Sequence, residues 1–536
     1  MRRTRIVVIS VLALLVAAAT LVTAGGAAPP SGPELTDVPT ANTKSPGYAP
    51  ASRLSAELTQ VAVAQGSTKV ENPSAQVSYY GYDNDVVTAT GEAQMLPTPA
   101  VANEAHKTEP DKNTYLVFKK GLAGADPSYD YGTHFLFQGH EGGSPGYITR
   151  INLDADAAHR VTVLATTDST GTPIATIDGS TWDPWAQRLL FTTESASNPT
   201  YSATPGYPST VDDVSGALGR GGYEGIQNDS DGNIWIVEDI GGAFKGSTKA
   251  KVPNSFVYRY VPSKPGDLEN GKLQVLRVLN ASGDPITQAS QTPLNSPDQL
   301  ALHTYGASFR TQWVTIHDTA TDGTTPFNAN TLAKQHDGTP FKRPENGQFR
   351  PGSKFEEFYF DETGDTDATS PENASAGGWD SIFKLTQSNP SASTGQLTIF
   401  FKGDEAHAGF DNVAFLARDS LAVVEDAGDT LHTQRNALDS GYVFDVTADY
   451  SKAGNEPIRW LAEGRDASAT IDAANAGFGK NDQDNEITGI HVSDGDPTAD
   501  GILGAKTPKL FDNKQWRWFY TQQHGDNPTY EVVPAP

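Results

Sequence analysis

The chain has 536 residues and a formal net charge of −26 at pH 7, with 65 acidic and 39 basic residues. A protein that binds nucleic acid needs a basic surface, so this charge balance argues against a nucleic-acid partner. The absence of cysteine excludes disulfides, thiolate metal sites, iron–sulfur clusters and cysteine nucleophiles. The 51 glycines and 35 prolines predict frequent turns and leave little room for long helices.

Residues 1–28 have the layout of a secretory signal peptide. Arg2, Arg3 and Arg5 precede an apolar run over 6–22, and small residues follow it. This order is typical of an export signal, although an uncleaved anchor is the alternative. The paired arginines are also compatible with the twin-arginine route. The sequence therefore predicts a secreted, extracellular protein that has no membrane attachment after cleavage.

Residues 29–75 are rich in Ala, Pro, Ser and Thr, which predicts a linker or a loosely attached arm. From 76 to 536, short apolar runs alternate with clusters of Gly, Asp, Asn and Pro, as in proteins with many short strands. The clearest runs lie at 115–119, 160–165, 188–193, 234–237, 256–261, 313–316, 355–360, 396–401, 421–424, 441–446 and 516–521. A segment of this length is too long for one ordinary sandwich, whereas a closed propeller accommodates it. We therefore predict an all-β protein with a β-propeller over 76–536.

A weak internal repeat favours the propeller. An acid stands at a strand start, and a second acid ends a later strand. The pairs are Asp178 with Glu194, Glu224 with Glu238–Asp239, Asp298 with Asp318, Asp411 with Glu425–Asp426, and Glu486 with Asp526. The 343–345 segment, Arg-Pro-Glu, supplies a further start, and six starts predict six blades. Because the innermost strands of a propeller begin around one axis, these acids are expected to form a ring.

A ring of carboxylates favours metal binding. Two carboxylates 4 Å apart repel each other by about 4 kcal/mol at an effective dielectric constant near 20. Bound cations remove this repulsion, and oxygen ligands select Ca²⁺, Mg²⁺, Mn²⁺ or Fe³⁺. A single acid at a strand end is more often a solvated turn residue, so only the recurrence of the pattern supports this prediction.

Two short motifs have more ordinary interpretations. The 142–146 stretch, Gly-Gly-Ser-Pro-Gly, matches the string around a hydrolase nucleophile, but Pro145 has no N–H to donate to an oxyanion. We interpret it as a glycine-rich turn. The 227–238 stretch resembles a calcium-binding loop, but it begins with Gln227 and contains a strand-like Ile-Trp-Ile-Val run. A hairpin turn with solvated acids is the favoured interpretation.

An ordered set of segments resembles the PhoX-type alkaline phosphatase family. The segments are 177–185 with Glu194, 223–226 with 238–239, 341–345, 411–412 with 425–426, and 486–489 with 523–526. Each segment alone is weakly specific, but together they run in the family's order over about residues 130–530. The resemblance implies a six-bladed propeller that binds iron and calcium at its axis and hydrolyses phosphomonoesters.

The resemblance also implies roles for individual residues. By position, Glu224 and Glu345 are similar to iron ligands, Glu194 is similar to a calcium ligand, and Arg343 is similar to the residue that holds phosphate. The complete set of candidate metal ligands is Asp178, Glu194, Glu224, Glu345, Asp411, Glu425 and Glu486. Arg343 is the candidate catalytic residue.

Two positions depart from the family pattern. Asp178 stands where the phosphatases have a cysteine that binds iron, and Tyr223 stands in place of their histidine. A carboxylate is a harder ligand than a thiolate, so this exchange is expected to weaken iron binding, to favour calcium or to abolish activity.

The sequence thus predicts a secreted, monomeric, metal-dependent phosphomonoesterase that acts on a small phosphate ester, with calcium as the first candidate metal and iron as the second. Two alternatives remain open at this point. One is a non-catalytic, calcium-stabilised propeller that binds a partner. The other is a different metal-dependent propeller hydrolase, similar to a phytase or a lactonase.

Overall fold

The computed structural model describes residues 32–44, 50–96, 98–101, 103–143, 145–288, 296–465, 486–512, 515–523 and 525–536. The predicted signal peptide, 1–28, lies outside these residues. None of the helices in the described ranges is long and apolar enough to cross a membrane.

Short antiparallel strands dominate the fold. The N-terminal part contributes β1 (Arg53–Leu54), β2 (Leu58–Ala64), β3 (Val77–Tyr79) and β4 (Tyr82–Asp83). Two four-stranded sheets follow, made of β5 (Thr114–Val117), β6 (His134–Gly139), β7 (Ile148–Asn152) and β8 (Val161–Ala165), and then of β9 (Ser180–Asp183), β10 (Arg188–Phe191), β11 (Tyr201–Ala203) and β12 (Val211–Asp213).

A nine-stranded sheet lies at the centre of the chain and consists of two runs. The first run, with its helices, contains α1 (Ser215–Leu218), β13 (Tyr223–Asn228), β14 (Ile234–Glu238), β15 (Val257–Pro262), β16 (Gly271–Val278), α2 (Pro297–Leu302), β17 (Phe309–Asp318), α3 (Thr319–Asp322) and α4 (Ala329–Gln335). The second run contains β18 (Gly347–Phe349), β19 (Glu357–Glu362), β20 (Ser381–Gln387) and β21 (Thr394–Lys402). Pairing of β17 with β21 joins the two runs at their outer edges.

Two further sheets complete the fold. One contains β22 (Phe410–Phe415), β23 (Ser420–Glu425), β24 (Ser440–Asp445) and β25 (Ile458–Ala462), with α5 (Gly428–Arg435) after β23. The other contains β26 (Glu486–Ser493), β27 (Arg517–Gln523) and β28 (Thr529–Pro534), with a short 3₁₀ helix at Ala499–Gly501.

The first strands of the successive runs lie around one axis. Contacts run from β5 to β9, β13, β18, β22 and β26, and from β26 back to β5. Each first strand leads outward through antiparallel neighbours, so the sheets are arranged like the blades of a propeller. The predicted all-β, propeller-like fold is therefore confirmed.

The N-terminal strands close this ring. β2 pairs with β28 and becomes the outer strand of the last sheet, and β1 pairs with β25. The interpretation of 29–75 as a linker or loose arm therefore does not hold for 53–54 and 58–64. In the Leu-Thr-Gln-Val-Ala-Val-Ala sequence of β2 only the end residues Leu58 and Ala64 are buried, and the partner strand lies at the far end of the chain.

Two features of the predicted repeat differ in the structure. Asp298 lies in the first turn of α2, and Asp318 ends β17 and caps α3 by accepting a hydrogen bond from Ala320 N. Neither residue begins an axial strand. The axial strand that the repeat missed is β5, which follows Asp111. The 227–238 stretch forms the β13–β14 hairpin, as expected.

Aromatic side chains fill the spaces between sheets. Trp235 on β14 packs edge-on against Trp313 and Phe349, with ring centroids 5.0 and 4.9 Å apart. Large aromatic side chains bury the most apolar area per residue, and such T-shaped pairs add further stabilisation. This packing fixes the axial strand β18 against β14 and β17, so the residues at the start of β18 have defined positions.

Candidate metal centre

Carboxylates collect where the axial strands begin. Asp111 and Asp178 precede β5 and β9, Glu224 lies in β13, and Glu345 precedes β18. Each of these four side chains is at most 5% exposed. Because the axial strands start at the same end of the ring, residues that are far apart in sequence come together there.

Among the described residues, carboxylates form three overlapping groups in which the ligand oxygens lie within 4.8 Å of one another. The groups are Asp111 with Glu141 and Asp178, Asp178 with Glu194 and Glu224, and Glu224 with Asp239 and Glu345. Asp178 and Glu224 each belong to two groups, so the acids form one continuous chain. Glu194 is the most exposed member, and it marks the open side of the centre.

The crowding has a clear electrostatic effect. Burial and the charges of neighbouring carboxylates raise the pKa of Asp178, Glu224 and Glu345 well above the usual range. Burial also raises the pKa of Asp111 to about 6. Protons or cations must therefore neutralise part of this charge for the centre to be stable.

Arg343 lies at one edge of the centre. Its Nε and Nη2 donate to both carboxylate oxygens of Asp239 at 2.7–2.9 Å, and Nη2 lies 3.4 Å from Glu345. Nη1 donates no hydrogen bond to any of the residues that the structure describes. The backbone φ of Arg343 is 61°, a left-handed value that is rare for a bulky side chain and often accompanies functional sites.

Lys112 places a buried positive charge below the carboxylates. Its Nζ donates to Asn412 Oδ1 and to the carbonyl of Ile490, both at 2.8 Å. Burial lowers the pKa of Lys112 to about 8, although nearby acids, led by Asp411, oppose this shift. The charge of Lys112 thus offsets part of the negative charge of the centre, while its hydrogen bonds go to residues outside the three carboxylate groups.

The predicted ligands divide into three classes of position. Asp178, Glu194, Glu224 and Glu345 come together in the overlapping groups. Asp411 and Glu486 lie beside them: after burial, nearby acids including Asp411 and Asp111 raise the pKa of Glu486. Glu425 lies elsewhere, as its contacts show.

Glu425 serves the packing of its own sheet. Its Oε1 accepts from Ala408 N at 3.0 Å, its Oε2 accepts from Ser440 N at 2.9 Å, and Arg435 lies 3.5 Å away. The following residue, Asp426, lies near the axis instead, because its charge is the largest cause after burial of the raised pKa of Glu486. The position of Glu425 does not favour the predicted metal role.

The two adjacent acids at the end of β14 also differ in position, one lying within its own sheet and the other at the axis. Glu238 Oε2 accepts hydrogen bonds from Phe256 N, Tyr258 Oη and Asn330 Nδ2, all at 3.0 Å. Asp239 belongs to the carboxylate group at the axis. Since successive strand side chains point to opposite faces, only one acid of each pair can face the axis.

The sequence reasoning missed three members of the centre, namely Asp111, Glu141 and Asp239. Asp111 precedes the first axial strand, which the repeat did not identify. Glu141 follows the end of β6, a strand-end position like that of Glu194 after β10. Asp239 stood in the Glu238–Asp239 pair, where strand alternation could have selected it.

The residues present fit hard cations. The donors are all carboxylate oxygens, the type that calcium prefers, and no thiolate is available for a softer metal. Within the described part of the chain, Asp411 Oδ2 is buried and has no hydrogen-bond partner, while its Oδ1 accepts from Asn412. A buried carboxylate oxygen without a donor is costly unless a cation or proton satisfies it.

The fold and the site define a class: a propeller-like β-protein with a chain of buried carboxylates at its axis. The model of the family Alkaline phosphatase PhoX matches residues 247–499. The resemblance to the PhoX family that the sequence showed is thus confirmed over this segment.

Comparison with solved structures agrees on the fold. Pseudomonas fluorescens PhoX in complex with vanadate, a transition state analogue, has a TM-score of 0.54 at 12% identity, over 93% of this chain and 98% of that chain. Lower scores are found for a Xanthomonas campestris gluconolactonase (TM-score 0.32, 11% identity, 89% and 100% coverage) and for Pseudomonas aeruginosa periplasmic gluconolactonase PpgL (0.31, 12%, 89% and 100%). No curated protein sequence matches the chain.

Proposed function

We propose that this protein is a secreted, metal-dependent phosphomonoesterase of the alkaline phosphatase type, with six blades around its carboxylate centre. The observation that carries the proposal is the position of Arg343, whose Nη1 is available beside the Glu224–Asp239–Glu345 group. A cation-binding group next to a guanidinium suits a phosphoryl group, because both can neutralise its oxygens.

Asp239 prepares Arg343 for this role. Its two oxygens hold the guanidinium from one side, which fixes the plane of the fork and directs the remaining N–H groups outward. Planar, fixed donors suit the tetrahedral phosphate oxygens better than a flexible ammonium would. Arg343 would bind and orient the phosphate, and the mechanism requires no protein nucleophile.

Calcium is the cation that the ligands favour, and iron is the second candidate. Asp178, Glu224 and Glu345 would hold the ions nearest the phosphate, and Asp411 and Glu486 would hold ions deeper in the ring. When bound, the ions would neutralise phosphate charge and activate an oxygen nucleophile. Asp178 offers a harder donor than the family cysteine, so we expect less iron relative to calcium.

Activity that depends on metal tests the proposal. The purified protein should hydrolyse 4-nitrophenyl phosphate, lose this activity on treatment with a chelator, and regain it when calcium and iron are supplied. Elemental analysis of the same samples shows whether activity follows metal content. A protein that carries its metals and yet hydrolyses no phosphomonoester would contradict the proposal.

One observation favours a second candidate, the non-catalytic calcium-stabilised propeller. Asp178 replaces the cysteine that the family uses to bind iron, and a calcium-only centre need not be catalytic. In that case metal would raise thermal stability while phosphatase activity stayed absent, so the same samples distinguish the two candidates. The proposed substrate is a small phosphate ester, and we expect the secreted protein to be a monomer.

A further inference from the structure

A hairpin lies directly beside the phosphate-binding residue. It spans 241–254 and begins two residues after Asp239, the partner of Arg343. At its base, Asn254 Nδ2 donates to the carbonyl of Ile240 at 3.1 Å. The hairpin is thus anchored at the edge of the carboxylate centre.

Phe244 and Lys251 share one face of this hairpin. They pair across it in an antiparallel bridge, and the flanking hydrogen bonds run from Lys245 N to Ala250 O and from Val252 N to Ala243 O, both at 2.9 Å. These bonds lie on either side of the pair, so it is a non-hydrogen-bonded pair, in which the two side chains lie close together on the same face.

Lys251 directs this face toward the site. Its Nζ donates to Thr366 Oγ1 at 3.1 Å, and its backbone N donates to Asp365 Oδ1 at 2.9 Å. The same short segment holds Arg343, because Thr363 N donates to the carbonyl of Arg343 at 2.9 Å. The ammonium of Lys251 therefore lies on the side of the hairpin that borders Arg343.

The ring of Phe244 is accessible. It is 52% exposed, which makes it the most exposed of the large hydrophobic side chains in the described ranges. Lys249 Nζ lies 5.4 Å from its centroid and adds positive charge beside the ring. An exposed aromatic ring among lysines, in a protein of net charge −26, is a suitable platform for an anionic ligand that carries a planar group.

We propose that the 241–254 hairpin is a leaving-group subsite, in which Phe244 stacks on a planar leaving group while Lys251 attracts the phosphate toward Arg343. This inference rests on the proposed phosphomonoesterase function and names its substrate class. The preferred substrates are phosphate monoesters of aromatic alcohols or of nucleosides, which share a planar ring at a short distance from the phosphate.

The test compares three substrates on the full chain loaded with calcium and iron: phenyl phosphate, adenosine 5′-monophosphate and glycerol 3-phosphate. Phe244→Ala should lower kcat/KM about tenfold for a substrate with a planar leaving group, as expected for the loss of one stacking contact. It should change kcat/KM for glycerol 3-phosphate less than about twofold, and Phe244→Trp should restore the parent values. A loss confined to phenyl phosphate assigns the subsite to aryl esters, and a loss confined to the nucleotide assigns it to nucleosides.

Phe511→Ala is the matched control, because Phe511 is also exposed (37%) but lies in the segment after the 3₁₀ helix. Phe511→Ala should leave kcat/KM unchanged for all three substrates. Equal kcat/KM in parent and Phe244→Ala for every substrate would overturn the subsite and leave the phosphomonoesterase intact. A metal-loaded parent that hydrolyses none of the three would overturn the proposed function, and the subsite with it.

Discussion

At the scale of single residues, Asp178 decides how closely the centre follows the family. It belongs to two of the carboxylate groups, and burial together with Asp111 and Glu194 raises its pKa well above the usual range. Asp178→Asn keeps the shape but removes a charge, so it should lower the metal content per chain. Asp178→Cys introduces a soft ligand and should raise iron relative to calcium.

Metal analysis of the parent and both variants, expressed with iron and calcium supplied, measures this effect. The alternative is that Asp178 only stabilises the turn before β9, a role that asparagine also performs. Identical metal content in all three proteins would place Asp178 outside the metal site and would remove the support for iron.

Arg343 provides the second residue-scale prediction. If Nη1 binds phosphate, Arg343→Ala should raise the inhibition constant for inorganic phosphate at least tenfold, or about 1.4 kcal/mol. Arg350→Ala is a suitable control, because Arg350 is similarly covered and forms ion pairs with Glu357 and Asp419 away from the centre. Unchanged phosphate inhibition in Arg343→Ala would contradict the proposed role.

At the scale of elements, strand alternation explains which acids the sequence could identify. Apart from Asp111, the acids before or within the axial strands were found because they recur at strand starts. The acids at strand ends come as neighbours, and composition does not tell which one faces the axis. In the Glu425–Asp426 pair, the glutamate side chain packs within its own sheet and accepts hydrogen bonds from the backbone N–H groups of Ala408 and Ser440.

This pair gives a direct test on adjacent residues. Asp426→Asn should lower the metal content of the purified protein, because its charge lies beside Glu486 and Asp411. Glu425→Gln should retain the metal but lower the melting temperature, since it weakens the ion pair with Arg435. The reverse pattern, with metal lost only from the Glu425 variant, would restore Glu425 as a ligand.

Helix α5 adds a pH-dependent contact next to this strand. His432 Nε2 lies 2.9 Å from Asp439 Oδ1, and both side chains are fully buried. Burial lowers the pKa of His432 and Arg435 opposes its charge, but Asp439 and Glu463 outweigh them and raise the pKa from 6.5 to about 9. The charged histidine therefore stabilises the folded state fully below pH 6.5, and this contribution is lost as the pH rises through about 9.

The free energy of unfolding should thus fall across this pH range by an amount on the order of 3 kcal/mol from this group alone. His432→Gln should flatten that part of the pH profile. Urea unfolding of parent and variant at several pH values measures the difference. Parallel profiles for the two proteins would show that His432 does not titrate in this way.

At the scale of the whole molecule, the sequence predicted a propeller but not how it closes. The turn-rich composition and the recurring strand starts were sufficient to predict the fold class. Closure depends on the pairing of β2 with β28, which joins residues near opposite ends of the chain. No local pattern encodes such a partner, and the Ala-, Pro-, Ser- and Thr-rich residues around β2 resemble a linker. The carboxylates converge only because the ring closes, so the sequence could predict only some of the residues of the centre.

If the proposed cations bind at the axis, closure and metal binding are coupled, and chelation tests this coupling. The acids come from several of the sheets around the axis, so cations bound there would join sheets that otherwise meet through side-chain packing. Cation at about 100 times its dissociation constant should add roughly 2.7 kcal/mol to the free energy of unfolding. Removing it should lower the melting temperature by several degrees, because the carboxylates then repel each other in a buried setting. Thermal unfolding before and after chelation, with metal loss confirmed by elemental analysis, measures the effect, and readdition of calcium should reverse it. An unchanged melting curve in protein shown to be free of metal would mean that packing and β2 pairing alone hold the ring together.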